Sequence, residues 1–415
     1  MKIKQTDIEF IREHFSSIQT KEDLLFLLNY AKGLLYPENC NPIQLQSLTY
    51  YANPELCDKR YSKFLIKKKS GSHRIINSPT KGLKVILRSL NIILQCIYEP
   101  HFSATGFVTN KSIVDNAKLH VGKNYVYNID LKDFFHSFDR NRVKLGFVFE
   151  PFNLKNEREP LAFLIACLCT HPFEIEGEFK TVLPQGSPTS PTITNILCSK
   201  LDRRLTGLAK RFGAQYSRYA DDITFSSNQS IFKNEVFLME LNRIISEDNL
   251  FNSKNPTSTI GPQLKINPDK TRLQKTAYQQ EVTGLIINEK VNVRRRYVGQ
   301  IRMWLYYWEK YGYEKAKQIF IKDYVSDKGH VKKSIPSIER VLEGKLDFLK
   351  MVKGGDDSTY LKLKKRFEKL LNVSADSKKI DFDLIVDTIL QKGIEEGLVI
   401  FDKYKNLKNE QKRKT

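Results

Sequence analysis

Apolar and polar positions along this chain recur in two periods, and the switches between them mark out its elements. From residue 1 to about 55, Ile8, Phe10, Ile11 and Phe15, then Leu24, Leu25, Leu27 and Leu28, recur at helical spacing. YSKFLIKKKSGSHRII, residues 61–76, changes to a strand pattern and predicts a hairpin, with runs 64–68 and 74–76 around a Ser-Gly-Ser turn. Pro79 precedes a helical stripe of Leu83, Ile86, Leu87, Leu90, Ile93 and Leu94. Residues 125–129 form a β-prone run that ends at Asp130. LPQGSPTSP, residues 183–191, reads as a turn opening a helix, with Ser190 as N-cap, Pro191 at the first helical position and Gly213 as the stop. The buried face of that helix is Ile193, Leu197, Leu201, Leu205 and Leu208. Runs 215–220 and 223–226 flank Asp221 and Asp222 and predict a tight hairpin with both acids at its tip. LKINPDKTR places Lys270 after a strand and turn, and EVTGLII follows as a short hairpin-like piece. A last helical stripe, Ile380, Leu384, Ile385 and Ile389, precedes a Lys/Arg-rich end.

Composition narrows the partners. The chain has 415 residues, enough for more than one domain, and its 68 basic residues against 47 acidic ones give a net charge of +21. Such an excess points to an anionic partner, and nucleic acid fits better than a membrane because no amphipathic anchor or long apolar span stands out. The N-terminus lacks the apolar core of a secretory signal, and the six cysteines show no paired zinc spacing, so reduced thiols and a cytoplasmic protein are expected. Residues 290–370 hold 21 basic and 10 acidic residues. There Trp304, Tyr306, Tyr307, Trp308, Tyr311 and Tyr313 interleave with Arg302, Lys310 and Lys315, a pattern suited to holding nucleic acid strands. Helix core is an equal reading for Trp304, Tyr307, Trp308 and Tyr311.

The chemistry lies in the acids. Adjacent carboxylates at a hairpin tip repel one another unless a cation sits between them, and a hard divalent metal with oxygen ligands is the natural candidate. Asp130 at a strand end supplies a third carboxylate; Asp133 and Asp139 are rivals, but neither ends a strand. Three such groups suit two-metal phosphoryl transfer. Arg74 opens a strand where a guanidinium can point at a triphosphate. Phe135 can stand beside an incoming sugar, and Phe134 is read as core. The 183–191 turn offers exposed amides to a phosphate or a template backbone.

In this order, Asp130, Leu183–Gly186 with Ser190 and Pro191, Tyr219–Asp222 and Lys270 resemble the palm motifs of reverse transcriptases. Asn116-Ala117-Lys118-Leu119-His120 and Val282-Thr283-Gly284 are similar to two motifs of bacterial retron reverse transcriptases, and the resemblance spans about residues 55–372. It implies an α+β right-hand polymerase fold with fingers, a palm of antiparallel sheet and helices, and a helical thumb. The expected division is an N-terminal helical segment 1–55, fingers and palm 56–289, a thumb 290–374 binding RNA or duplex, and a C-terminal helical extension 375–415. Asp130, Asp221 and Asp222 become the catalytic, metal-holding carboxylates for two Mg2+ ions, with Mn2+ as a substitute. Arg74, Gln185, Phe135 and Lys270 become the nucleotide-binding set: Arg74 and Gln185 contact the nucleotide, Phe135 is the sugar gate and Lys270 assists pyrophosphate departure. Asn116, His120, Val282, Thr283, Gly284, Arg294, Arg295 and Arg296 are assigned to RNA. The implied partners are a cognate non-coding RNA, its DNA product, dNTPs and an effector protein encoded nearby, in anti-phage defence. Two rivals stand beside this reading. One is another bacterial reverse transcriptase, intron-like or untemplated, although no HNH or zinc-ligand segment follows the thumb. The other is an RNA-binding scaffold that controls an effector.

Overall fold

The computed structural model describes residues 3–38, 41–67, 71, 73–175, 177–246, 264–328 and 335–376, with scattered positions between 386 and 401. The stripe from Ile380 to Ile389, together with Cys40, Lys68 and Lys69, lies outside the described residues. The chain divides into two compact units, Met1–Arg294 and Arg295–Thr415.

The first unit begins with three helices, α1 (Gln5–Ser17), α2 (Lys21–Leu35) and α3 (Leu45–Ala52). Thr20 and Asp23 form a reciprocal cap that starts α2. These helices are not a separate body: Ile11, Phe15, Leu24, Leu27 and Leu28 share one core with Leu83 to Leu94 and with Ile129, Ile223 and Phe225. The antiparallel hairpin β1 (Tyr61–Lys67) and β2 (His73–Pro79) leads into α4 (Lys81–Ile97), whose expected apolar stripe is wholly buried. A short helix α5 (Ile113–Lys118) precedes β3 (Tyr125–Lys132). Two helices, α6 (Arg140–Val148) and α7 (Glu159–Cys169), and a hairpin, β4 (His171–Ile175) and β5 (Glu178–Val182), come next.

The helix expected from residue 190 to 213 is two helices, α8 (Ser190–Leu197) and α9 (Ser199–Arg211), broken at Cys198. Its apolar face is buried as expected, and Gly213 takes the left-handed conformation that ends it. Ser190 is not the cap. Thr189 holds that position, and the Ser190 hydroxyl instead donates to the Pro184 carbonyl. Strands β6 (Gln215–Tyr219) and β7 (Asp222–Ser227), helix α10 (Glu235–Ser246) and strand β8 (Lys265–Lys275) follow, and the pair β9 (Glu281–Val282) and β10 (Leu285–Ile286) closes the unit.

One four-stranded antiparallel sheet, in the order β6-β7-β3-β8, organises these pieces. Period-2 alternation gives it two unlike faces. Tyr216, Ile223, Phe225, Ile129 and Leu131 enter the core on one side, and the other carries Tyr219, Asp222, Asp130 and the polar rows behind them. The second unit is helical: α11 (Arg295–Lys328), interrupted at Gly312, then α12 (Ile338–Lys353) and α13 (Ser358–Asp376). Trp304 and Trp308 are core, whereas Tyr306 and Tyr311 are about half exposed with Lys310 over both rings.

Candidate active site

Strand pairing puts the acids in one row. Tyr219 pairs with Asp222, Asp222 with Asp130, and Asp130 with Asn267, so four side chains cross β6, β7, β3 and β8 on the polar face. Asp130 lies two residues inside its strand rather than at its end, because Leu131 and Lys132 pair on with Ile266 and Lys265. The hairpin loop is Ala220-Asp221, with Asp222 already in β7, and the Asp221 carbonyl accepts from the Leu131 amide at 3.1 Å. Two of the three carboxylates are thus fixed by sheet register and the third by a two-residue turn bonded to β3.

That turn is strained and held from behind. Ala220 has φ 59, a left-handed conformation that costs an alanine of order 1 kcal/mol or more. Its carbonyl accepts from the Arg218 guanidinium at 3.1 Å. Arg218 is fully buried and clamps Asp202 of α9 with bonds of 2.8 and 2.7 Å, and it reaches Asn195 of α8 at 3.1 Å. Tyr216 adds a hydroxyl bond to Asp202 at 2.7 Å. On the other flank the segment at Ser103–Thr105 bonds both backbone groups of Arg218 at 2.9 Å. Sequence reading missed Arg218, Asp202 and Asn195. The available signal was an arginine on the inward-facing parity of a strand, which requires a buried partner.

The nucleotide side is built from β2 and the 183–191 turn. The Asn77 amide donates to the Gln185 carbonyl at 2.8 Å, joining the hairpin that carries Arg74 to the turn that carries Gln185. Gly186 makes that approach possible: at φ 118, a Cβ would stand 2.7 Å from the Asn77 carbonyl oxygen. Arg74 is exposed, and its charge is felt at Asp221. Phe134 is core as expected, and Phe135 is half-buried beside it. Lys270 is not beyond a strand but inside β8, in a bulge where the register slips between Asn128 and Asp130. Its ammonium bonds both Asp130 oxygens, at 2.8 and 3.0 Å, and the Asn267 amide adds a bond at 3.2 Å.

Burial raises the Asp221 carboxyl above its ordinary value; the Asp130 charge adds to this, and Lys270 and Arg74 oppose it. Asp222 keeps an edge in solvent, yet its desolvated surroundings, then Asp221 and Asp130, push it up to about 6. Among the described residues, no three His, Cys, Asp or Glu side chains are grouped closely enough to hold a metal ion as they stand. The donor set still fits hard divalent cations: oxygen ligands only, three carboxylates at adjoining positions, and a mutual repulsion that a cation relieves.

Residues 66–287 match the family model described as "Reverse transcriptase (RNA-dependent DNA polymerase)", just over half the chain. The chain belongs to the reverse transcriptase family. Within that family it is similar to the retron enzymes. It is 35% identical over 250 residues to the retron Mx162 reverse transcriptase of Myxococcus xanthus, covering 55% of this chain and 47% of that one. It is 32% identical over 303 residues to the retron Mx65 reverse transcriptase of the same organism, covering 69% and 62%. With the retron Ec86 reverse transcriptase of Escherichia coli the identity is 35% over 251 residues, covering 59% and 69%. The chain therefore spans from about half to somewhat under two thirds of the two Myxococcus proteins. The mixed sheet-and-helix architecture is that of the right-hand polymerase fold. No described helix is long and apolar enough to cross a membrane.

The reverse transcriptase fold also locates the residues expected to touch RNA, and corrects part of that expectation. Asn116 and His120 are fully buried. Asn116 accepts from the Thr105 hydroxyl at 2.7 Å, and His120 bridges Ser217 and Ser226 at 2.7 Å each, across β6 and β7. Burial holds the imidazole down at about 3, hence neutral. These two side chains brace the polar face of the sheet and present no surface to a polynucleotide. Val282 is buried, and Thr283-Gly284, both at positive φ, make the two-residue turn between β9 and β10. The Thr283 hydroxyl donates to the Ile113 carbonyl at 3.1 Å, so both retron-like motifs pack as one piece. Arg294 is exposed but ion-paired through two nitrogens with the buried Glu281; Arg295 and Arg296 are exposed where α11 begins.

Proposed function

We propose that this reverse transcriptase is an RNA-directed DNA polymerase of retron type. It copies part of its own structured non-coding RNA into single-stranded DNA, starting from a guanosine 2′-hydroxyl, and leaves a branched RNA–DNA product that acts with an effector protein in anti-phage defence. The observation that carries the polymerase reading is the cross-strand row Asp222–Asp130 with Asp221 at the adjoining turn. Similarity to retron enzymes supports the finer reading.

Asp130, Asp221 and Asp222 would hold two Mg2+ ions. When bound, these supply activation of the priming hydroxyl and neutralisation of triphosphate charge. The protein's own contribution is positioning and charge. The strand row fixes the carboxylates, the Gly186 contact seats Gln185 against β2, and Arg74 adds positive charge beside Asp221 for the triphosphate. Lys270, tethered in the β8 bulge beside Asp130, carries an ammonium able to meet the leaving pyrophosphate. Exposed Arg295 and Arg296 and the Tyr306–Lys310–Tyr311 surface offer cations and ring faces to RNA.

The test is extraction of nucleic acid from the purified protein, then RNase and debranching treatments on a denaturing gel. One discrete DNA whose mobility shifts with each treatment supports the proposal; unbranched heterogeneous DNA moves the protein to another reverse transcriptase class. Asp221→Asn should abolish that DNA while RNA binding persists, and near-wild-type synthesis by this variant would remove the carboxylate assignment.

A further inference from the structure

Phe107, outside every motif discussed above, stands where three parts of the site meet. Its ring centroid is 6.5 Å from Phe135 and 6.3 Å from Tyr219. Tyr219 begins the row that continues through Asp222 to Asp130. Phe107 remains 42% exposed and has φ 61, a conformation that bulky side chains rarely take. An exposed aromatic in a strained backbone is not accounted for by core packing.

The neighbouring glycine brings this backbone against the turn. A Cβ on Gly106 would stand 2.5 Å from the Ala220 amide nitrogen, so only glycine lets the chain at 106 run this close to the turn carrying Asp221. The Gly106 carbonyl accepts from the buried Asn195 amide at 2.9 Å, and the Thr105 amide donates to the Arg218 carbonyl at 2.9 Å. Phe107 is therefore registered to the same backbone that sets the carboxylates.

Among the described residues, Phe135 has two aromatic neighbours of different character. Phe134, edge-on at 5.6 Å and 3% exposed, is part of the core and cannot yield. Phe107, tilted at 6.5 Å from the same ring and 42% exposed, is the neighbour outside the core. A ring meant to exclude a 2′-hydroxyl selects by position, since a gate free to swing admits the hydroxyl. We propose that Phe107 is a positioning residue for sugar selection: it confines Phe135 and so sets the width available at the 2′ carbon of the incoming nucleotide. This deepens the polymerase reading above and rests on it, including the gate role of Phe135.

The experiment is single-nucleotide insertion by the full chain on a defined primer–template, measuring kcat/KM for dGTP and for GTP. The proteins are wild type, Phe107→Ala, Phe107→Tyr, Phe135→Ala and the Phe107/Phe135 double alanine variant, each checked for an unchanged thermal transition. Phe107→Ala should raise relative GTP use about tenfold, in the range that loss of a few apolar contacts gives, with dGTP insertion within a few-fold of wild type. Phe107→Tyr should restore selectivity. The double variant should discriminate no worse than Phe135→Ala alone, because both changes act on one ring. Equal loss for both nucleotides in Phe107→Ala would overturn the proposal, as would multiplicative effects in the double variant. Wild-type protein that inserts neither nucleotide would overturn the polymerase reading itself, and selectivity unchanged by Phe135→Ala would overturn the gate; both are recognisable apart from a Phe107 effect.

Discussion

Arg218→Met is the substitution that probes most directly how the acid-bearing turn is held. The guanidinium is fully buried, bonds both oxygens of an equally buried Asp202, and also bonds Asn195 and the Ala220 carbonyl. Removing one partner of a buried ion pair leaves an uncompensated charge, at about 3–5 kcal/mol. The same applies to Asp202→Leu, which also strips the Tyr216 hydroxyl of its acceptor. Added independently, the two changes would destabilise the fold by about 6–10 kcal/mol, much of the stability of an ordinary domain. The double variant has no stranded charge. It loses bonds at Ala220, Asn195 and Tyr216, at about 1 kcal/mol each, so about 3 kcal/mol in all. Urea denaturation of the four proteins at one pH closes the cycle, and a coupling of at least about 3 kcal/mol is expected. Additive losses, or single variants that lose less than about 1 kcal/mol, would refute the idea that this pair is the stress-bearing support of the turn. The double variant should also remain slow in DNA synthesis. Its Ala220–Asp221 turn has lost its rear hydrogen bond, and a misplacement of about 1 Å is enough for a hundredfold fall in rate.

Three further outcomes follow from the geometry. Gly186→Ala forces a Cβ to 2.7 Å from the Asn77 carbonyl at φ 118, so about 2 kcal/mol of stability should go and KM for dNTP should rise; an unchanged melting curve and KM would count against the contact. The raised carboxyls of Asp221 and Asp222 bind protons more tightly folded than unfolded, so their contribution to stability is greatest near pH 4 and is lost as pH rises through about 6. The stability difference between Asp222→Asn and wild type, read by urea titration from pH 4.5 to 7.5, should therefore favour the variant increasingly with pH; a flat difference refutes the shift. His120→Ala removes both hydroxyl bonds across β6 and β7 and should cost about 2–4 kcal/mol while leaving RNA affinity in a filter-binding assay within a few-fold; selective loss of RNA binding with normal stability would restore the direct-contact role.

That the three acids lie on one hairpin and one strand was legible because those signals are local, whereas the exact strand ends, with Asp130 inside β3 and Asp222 inside β7, depend on pairing with β8 and β6. A hairpin places Asp221 and Asp222, and a β-prone run places Asp130, without knowledge of any distant partner. The apolar stripe of α4 was legible for the same reason. The break at Cys198 was not, because Ile193, Leu197, Leu201, Leu205 and Leu208 keep helical spacing straight through it. The support of the turn depends on contacts sixteen residues apart for Arg218–Asp202 and 23 for Arg218–Asn195. Asn116 and His120 show the opposite limit: the motif was readable as a pattern, but its burial was not. A polar motif on a short amphipathic piece reads equally as a ligand-binding face or as an internal brace, and only the positions of Ser217 and Ser226 decide between them.

Left-handed or near-left-handed backbone occurs in three segments that flank the polar row: Phe107 at φ 61, Gly186 at 118 and Ala220 at 59. At Phe107 and Ala220, which are not glycine, this conformation is unfavourable by order 1 kcal/mol or more. Such turns persist only where neighbours over-determine them. The neighbours are Arg218, Asp202 and Asn195 behind Ala220, Gly106 against Ala220, and β2 against Gly186. The far end of the polar face follows a different rule. There His120, Ser217 and Ser226 are buried, neutral and satisfied, which stiffens the β6–β7 pair without placing charge near the acids. A sheet closed and neutral at one end and open and anionic at the other puts the cation-demanding chemistry at one edge, so a substitution at the closed end should register first as lost stability and one at the open end first as lost rate.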